Sequence, residues 1–196
     1  MYNVDVSSCY PSVMLFCNAM SRGCTKPERF MSIYKRRLIL KQTPKEQWSE
    51  EDKKFVPAAK LVLNTTYGAM GNKYLSLYDD YMRTKVCRVG QMILISIMNN
   101  LYKSIPGLKV IQTNTDGVLV YARRADKDKI QGIVDEFSAI SNFAFEVEED
   151  NRLWQLNVNN YIALHPDGEL RNKGGSFVDT VFQKGTNKIR PLGTYV

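Results

Sequence analysis

The stretch Val110-Ile111-Gln112-Thr113-Asn114-Thr115-Asp116-Gly117-Val118-Leu119-Val120-Tyr121 decides how this chain is read. Two short apolar runs flank a polar break built from turn-forming residues, the pattern of strand, tight turn and strand. Such a tip holds its side chains rigidly and presents Asp116 beside a neighbouring strand. Taken alone it also reads as an ordinary turn. Upstream, Thr84 to Ser104 has apolar residues Val86, Val89, Ile93, Ile97 and Leu101 at helical spacing, and Pro106-Gly107 ends it. Downstream, Asp126 to Ile140 is an amphipathic helix. Phe143 to Glu148, Leu153 to Val158 and Tyr161 to Leu164 read as strands, and Pro166-Asp167-Gly168 as a turn.

At the front, Tyr2 to Val6 reads as a strand, and Pro11 opens a short helix over Val13 to Cys17. After a loop from Ser21 to Pro27, a helix runs to about Gln42, where Thr43-Pro44 stops it. Ser49 and Asp52 form a capping-box pattern for a second helix reaching Tyr67-Gly68, with Pro57 expected to kink or delay it. Two helices joined by a short polar loop make a helical hairpin. The order of elements implies an α+β fold: an antiparallel sheet with covering helices, and the helical hairpin inserted near its start.

Composition narrows the function. The 196 residues are 44% hydrophobic and 24% charged, as in ordinary folded domains, and no repeat or low-complexity tract stands out. A net charge of +7 favours a polyanionic partner. The four cysteines form no C-x-x-C pair and His165 is the single histidine, so a zinc site lacks ligands and the thiols read as reduced. No signal peptide or membrane-spanning run is seen, which points to a cytoplasmic protein that is not secreted.

Two more constellations join the hairpin tip. Asp5-Val6-Ser7-Ser8-Cys9-Tyr10-Pro11-Ser12 places a carboxylate at a strand end before a helix start, where backbone N–H groups suit a phosphate. A helix-capping aspartate beside a core tyrosine is the plainer reading. In Lys60-Leu-Val-Leu-Asn64-Thr-Thr-Tyr67-Gly68, Lys60, Asn64 and Tyr67 fall on one helix face, and a cation one turn from an amide suits a triphosphate. A solvated face ending in a buried tyrosine is the alternative. The combination in one chain shifts the balance, because two carboxylates on adjacent strands can bind a pair of divalent ions about 3.5–4 Å apart. Phosphoryl transfer asks little more of a protein than positioning and charge.

These motifs resemble those of the family B DNA polymerases. The family pattern D-x-x-S-L-Y-P-S matches Asp5 to Ser12, with Cys9 in place of leucine. The resemblance implies that Asp5 is a catalytic metal ligand, joined by the Val6 carbonyl. It also implies that Ser8, Cys9 and Tyr10 offer backbone N–H groups to the triphosphate, and that Tyr10 is the steric gate favouring deoxynucleotides. The pattern K-x-x-x-N-S-x-Y-G matches Lys60 to Gly68, with Thr65 for serine, implying triphosphate contacts from Lys60 and Asn64 and a place for Tyr67-Gly68 at the nascent base pair. Arg37 and Lys41 fit the family's R-x-x-x-K, aimed at the same phosphates. The third motif, D-T-D-S, reads Asn114-Thr115-Asp116-Gly117: Asp116 keeps the stronger ligand, Thr115 sits at the DNA side, and Asn114 and Gly117 replace aspartate and serine. Asn160-Tyr161 matches a basic-x-Tyr element that tracks primer-template DNA, and Lys173-Gly174-Gly175 resembles a K-G element where lysine meets a phosphate. Glu146 and Glu148 stand near the expected site.

The resemblance thus divides the chain into palm (1–26), fingers hairpin (27–67), palm again (68–175) and the start of a palm–thumb connection (176–196). It implies DNA-directed DNA synthesis from dNTPs with two Mg²⁺ ions, for which Mn²⁺ can substitute. The expected setting is a bacterial or phage-infected cell, with primer-template DNA as partner. The chain reads as palm and fingers alone, so that exonuclease and thumb segments or accessory replication proteins are expected besides. The substitution of Asn114 keeps a second reading open, a catalytically silent nucleic-acid-binding module derived from such a polymerase. A reverse transcriptase or RNA polymerase of similar palm is a third, against which Tyr10 and the Lys60–Gly68 helix speak.

Overall fold

The computed structural model describes residues 1–174. Gly175 and the segment 176–196 lie outside the described residues. Two compact units divide the chain. One is formed by Met1–Ser7 and the residues from Leu94 onward, the other by Ser8–Ile93.

In the first unit, β1 (Tyr2–Val6) is a central strand because alternate residues Tyr2, Val4 and Val6 are buried while Asn3 and Asp5 face the other way. It pairs antiparallel with β3 (Gly117–Tyr121) on one side and β4 (Phe145–Glu149) on the other, and β2 (Lys109–Thr113) pairs with β3 to complete the order β2-β3-β1-β4. A register shift between Val110 and Gln112 marks a bulge in β2 just before the polar tip. Helix α5 (Lys127–Ser141) packs on β4 and buries Ile130 and Val134, one turn apart on its apolar stripe. Strands β5 (Arg152–Asn157), β6 (Asn160–Leu164) and β7 (Leu170–Lys173) form a separate antiparallel meander. The downstream strands therefore make a second sheet rather than widening the first. The side chains of Gln155 and Gln112 hydrogen-bond between the two sheets, and Asn151 N–H donates to the Leu164 carbonyl (2.7 Å) at the start of the meander.

In the second unit, α1 (Cys9–Phe16) begins two residues before Pro11 rather than after it. Proline is tolerated in a first turn, where its missing N–H has no partner to lose. The residue before the helix, Ser8, takes the left-handed conformation (φ 53°), which turns the chain sharply out of the strand. Helices α2 (Pro27–Gln42) and α3 (Glu50–Ala69) form the expected hairpin, with a short 3₁₀ turn at Lys45–Gln47 between them. The capping box is present: Ser49 Oγ accepts from Asp52 N–H, and the Asp52 carboxylate accepts from Ser49 N–H. That cap starts α3 at Glu50, so Pro57 neither delays nor ends the helix. Its proline costs one intrahelical bond, which the cap and the packing against α2 offset.

Helix α4 (Asp80–Ser104) contributes its first half to this unit and its second half to the other. Asp79 fixes its start. The buried carboxylate accepts from Arg22 N–H, Nε and Nη2 at 3.0, 2.8 and 2.9 Å, and from Met82 N–H at 3.2 Å. The Arg22 side chain, foremost, holds the Asp79 carboxyl well below its ordinary value of 3.8. A depressed carboxylate stabilises the fold fully above its unfolded pKa and ceases to do so as the pH falls below it. Asp79→Ala is therefore expected to lower the Tm at neutral pH by roughly 5–10 °C, with the difference from wild type shrinking as the solution is acidified below about pH 4. Thermal melts across that range check it; a constant difference would contradict the assignment.

Candidate active site

The first unit brings Asp5 and Asp116 together. Register pairs Asp5 with Gly117 on β3 and with Glu146 on β4, and Val6 N–H donates to the Asp116 carbonyl at 2.6 Å. Val6 itself is buried in the sheet. The tip is shaped by Asn114. Its Oδ1 accepts from Asp116 N–H (3.1 Å) and Gly117 N–H (2.6 Å), and its own N–H donates to the Gly117 carbonyl (3.0 Å). Asn114 thus builds the turn that carries Asp116, whose side chain is exposed, as is neighbouring Thr115.

Asp5 is set inward. Its Oδ2 accepts from Asn3 Nδ2 at 2.6 Å, while Oδ1 is buried with no hydrogen-bond partner. A Cβ placed on Gly117 would overlap that oxygen, so the glycine leaves the space the carboxylate fills. Burial, then the nearby Asp116 charge, pushes the Asp5 carboxyl up from 3.8 to about 6, with Lys173 and the Asn3 hydrogen bond opposing. Two neighbouring carboxylates, only partly offset by Lys173, and a buried, unpartnered oxygen could accommodate a cation. Among the described residues no cluster of three acidic, histidine or cysteine ligands occurs. Asp5 and Asp116 are the carboxylates that could hold a divalent cation here.

Around this pair, Ser7 Oγ donates to Glu146 (2.6 Å), and Glu148 pairs with Arg171 (3.0 Å). Lys173 stands opposite Tyr161 in register, its Nζ 5.5 Å from the ring centre, and its charge is felt at Asp5. Asn160 Nδ2 donates to Asn157 Oδ1 at 3.0 Å. Gly174, at φ +88°, lies so close to Asn159 and Asn160 that a side chain there would collide with them. Sequence reading missed Asn3 and the reach of Lys173 to Asp5. The signal for Asn3 was present, since residues two apart on a strand share a face. Lys173 reaches Asp5 only through tertiary folding.

The second unit holds the other candidates. Lys60 and Asn64 are exposed on one face of α3, and Lys41 is exposed on α2. Tyr67, on that same face of α3, stacks on Tyr10 with ring centres 3.8 Å apart and planes 10° from parallel. Burial, first of all, pushes the Tyr10 phenol up to about 12. Gly68 is exposed, with open space where a Cβ would point. Cys9 is buried and packs near Gly90. Arg37 departs from expectation. Instead of projecting beside Lys41, it is buried and donates from Nη1 to Ser8 Oγ at 2.6 Å, bracing the left-handed turn before α1. Arg37 and Lys41, four residues apart, share a side of α2, and it is the contact with Ser8 that buries the former.

A carboxylate strand, a helical hairpin and a carboxylate turn thus follow one another along the chain. The solved family B DNA polymerase from the hyperthermophilic archaeon Pyrobaculum calidifontis matches 91% of this chain and 27% of its own at a TM-score of 0.58, with 17% identity. In sequence, the chain is 27% identical over 146 residues to DNA polymerase 1 of Sulfolobus acidocaldarius, covering 74% of this chain. It is 28% identical over 139 residues to the DNA polymerase alpha catalytic subunit of Trypanosoma brucei brucei, covering 67% of this chain. The chain spans 16% and 9% of those two relatives' lengths. No family model matches. By sequence and by fold together, the chain resembles the family B DNA polymerases. These relatives are archaeal and eukaryotic, and lend no support to the expected phage or bacterial source. No helix among the described residues is long and apolar enough to cross a membrane.

Proposed function

We propose that this chain carries the nucleotidyl-transfer centre of a DNA-directed DNA polymerase, adding deoxynucleotides from dNTPs to a primer 3′-hydroxyl on a DNA template. One observation carries the reading: Asp5 and Asp116 lie on neighbouring antiparallel positions, tied by the Val6–Asp116 hydrogen bond, with a buried Asp5 oxygen that no protein group satisfies. Asp5 and Asp116 would hold two Mg²⁺ ions, or Mn²⁺ in their place, which when bound activate the 3′-hydroxyl and neutralise the departing pyrophosphate.

The chain's own groups do the rest. Lys60, Asn64 and Lys41 offer exposed donors to triphosphate oxygens. The first turn of α1 offers N–H groups of Ser8, Cys9 and Tyr10 at a positive helix end, with Arg37 bracing Ser8. Tyr10, backed by Tyr67, presents a fixed ring against a sugar 2′ position, while Tyr67 and Gly68 lie by the nascent base pair. Thr115, Asn160, Tyr161 and Lys173 are assigned to primer-template DNA, Lys173 through a phosphate. Accessory replication proteins, and exonuclease and thumb segments, are proposed as partners, acting with the cell's DNA.

Primer extension on a DNA template tests this. Purified protein at low salt is expected to extend a primer with Mg²⁺ and dNTPs, to stop when EDTA is added, and to use rNTPs far less. Folded protein that binds DNA but extends nothing with either Mg²⁺ or Mn²⁺ would leave the silent binding module in its place.

A further inference from the structure

The Asp5 carboxylate is fixed at both of its oxygens. Oδ1 fills the recess left by Gly117, where a Cβ on the glycine would overlap it. Oδ2 accepts from Asn3 Nδ2 at 2.6 Å. The second contact is local in origin. Residues two apart on a strand stand roughly 6–7 Å apart on one face, a gap that one short amide and one short carboxylate can bridge. Val4, between them, points the other way and is buried.

Neither strand propensity nor packing explains an asparagine at this position. Asn is depleted in strands, and β1 is a central strand with partners on both sides. The ladder that joins β1 to its neighbours uses backbone groups, so the side-chain amide has no part in it. Across the sheet Asn3 stands opposite Leu119 on β3 and Glu148 on β4. Leu119 has no polar side chain, and the Glu148 carboxylate is held by Arg171 at 3.0 Å. The contact with Asp5 is what the amide does.

We propose that Asn3 is the positioning residue of Asp5, its amide holding the carboxylate in the orientation that receives a divalent cation. An ionised carboxylate has about four lone-pair sites, so a single amide donor leaves Oδ2 able to take a second partner. Held at both oxygens, the group does not turn about its Cβ–Cγ bond, and less rotational freedom is lost when a cation binds. Hydrogen bonds that orient metal-ligating carboxylates act in this way, and losing one weakens metal affinity or activity by about 10–100-fold. This role of Asn3 rests on the reading of Asp5 as a metal ligand, and on DNA synthesis only for the reaction that the metal serves.

The test is Mn²⁺ binding, read as loss of the free-ion EPR signal, in wild type, Asn3→Leu and Asn3→Ala, each checked by thermal melting. Leucine keeps the branched shape of the amide and removes its donor; alanine removes both. Each variant is expected to bind Mn²⁺ about tenfold more weakly than wild type. In primer extension, the Mg²⁺ concentration for half-maximal rate rises by about the same factor, while the rate at saturating Mg²⁺ returns to near the wild-type value. A merely structural role would lower the Tm and leave the metal dependence unmoved. Folded variants that bind Mn²⁺ as wild type does, or a rate that saturating Mg²⁺ does not restore, would overturn the proposal. Wild type that extends primers beside Asn3 variants with unchanged metal dependence would remove this role and leave the polymerase reading standing. Mn²⁺ binding that depends on Asn3 in a chain that extends no primer would do the reverse. Wild type that binds no Mn²⁺ removes the role of Asn3 whatever it does with a primer.

Discussion

On the proposed function, Asp116→Asn is expected to cut templated incorporation by on the order of 1,000-fold while leaving the fold unchanged, because a carboxylate in the proposed metal-ligand role contributes several kcal/mol to stabilising transferred charge. The substitution is clean for a structural reason. The Asp116 side chain is exposed, and the contacts that build the turn use its backbone: its carbonyl accepts from Val6 N–H, and its N–H donates to Asn114 Oδ1. Asparagine keeps both and nearly the same shape, removing only the charge. That charge also helps to raise the Asp5 carboxyl, so the variant carries a second signature, an Asp5 titration shifted below about 6. Single-turnover extension assays and carboxyl NMR titration read the two effects separately. Near-wild-type incorporation would remove Asp116 from the catalytic pair.

Gly117→Ala acts on the other carboxylate. The added methyl would take the space now filled by Asp5 Oδ1, next to the Val4 carbonyl. Overpacking of this kind costs about 1–3 kcal/mol, or roughly 2–12 °C in Tm for a chain of this size. Driven from its pocket, Asp5 loses the burial that is the main cause of its raised pKa, and its titration falls from about 6 toward 3.8. The sign for stability follows. Asp5 binds its proton more tightly in the folded chain than in the unfolded one, so wild type loses stability as the pH rises from 3.8 through about 6. The alanine variant shows a smaller loss over that window. Urea denaturation at several pH values, alongside the Asp5 titration, checks both. An unchanged Tm with Asp5 still titrating near 6 would show that Gly117 does not shape the pocket.

Most of the elements were legible in the sequence because they rest on local rules. The Ser49–Asp52 cap, the Pro27 start and the period-two burial of β1 are each set by residues within a few positions of one another. The misreadings were also local, and packing caused them. Pro57 is accommodated within a capped helix, and α1 starts before Pro11 because Ser8 adopts a left-handed turn braced by Arg37, a residue from another helix.

By itself the sequence determined the α+β class, the helical hairpin, the three motifs and the resemblance they carry, all properties of spacing along the chain. Tertiary structure alone decided that Gly117 makes room for Asp5, that Arg37 is buried, and that the last three strands form their own sheet. The reason is physical: each depends on which atoms from distant positions compete for one small space. Spacing fixes periodicity and faces, whereas the filling of a buried pocket is settled only when the strands and helices close upon one another.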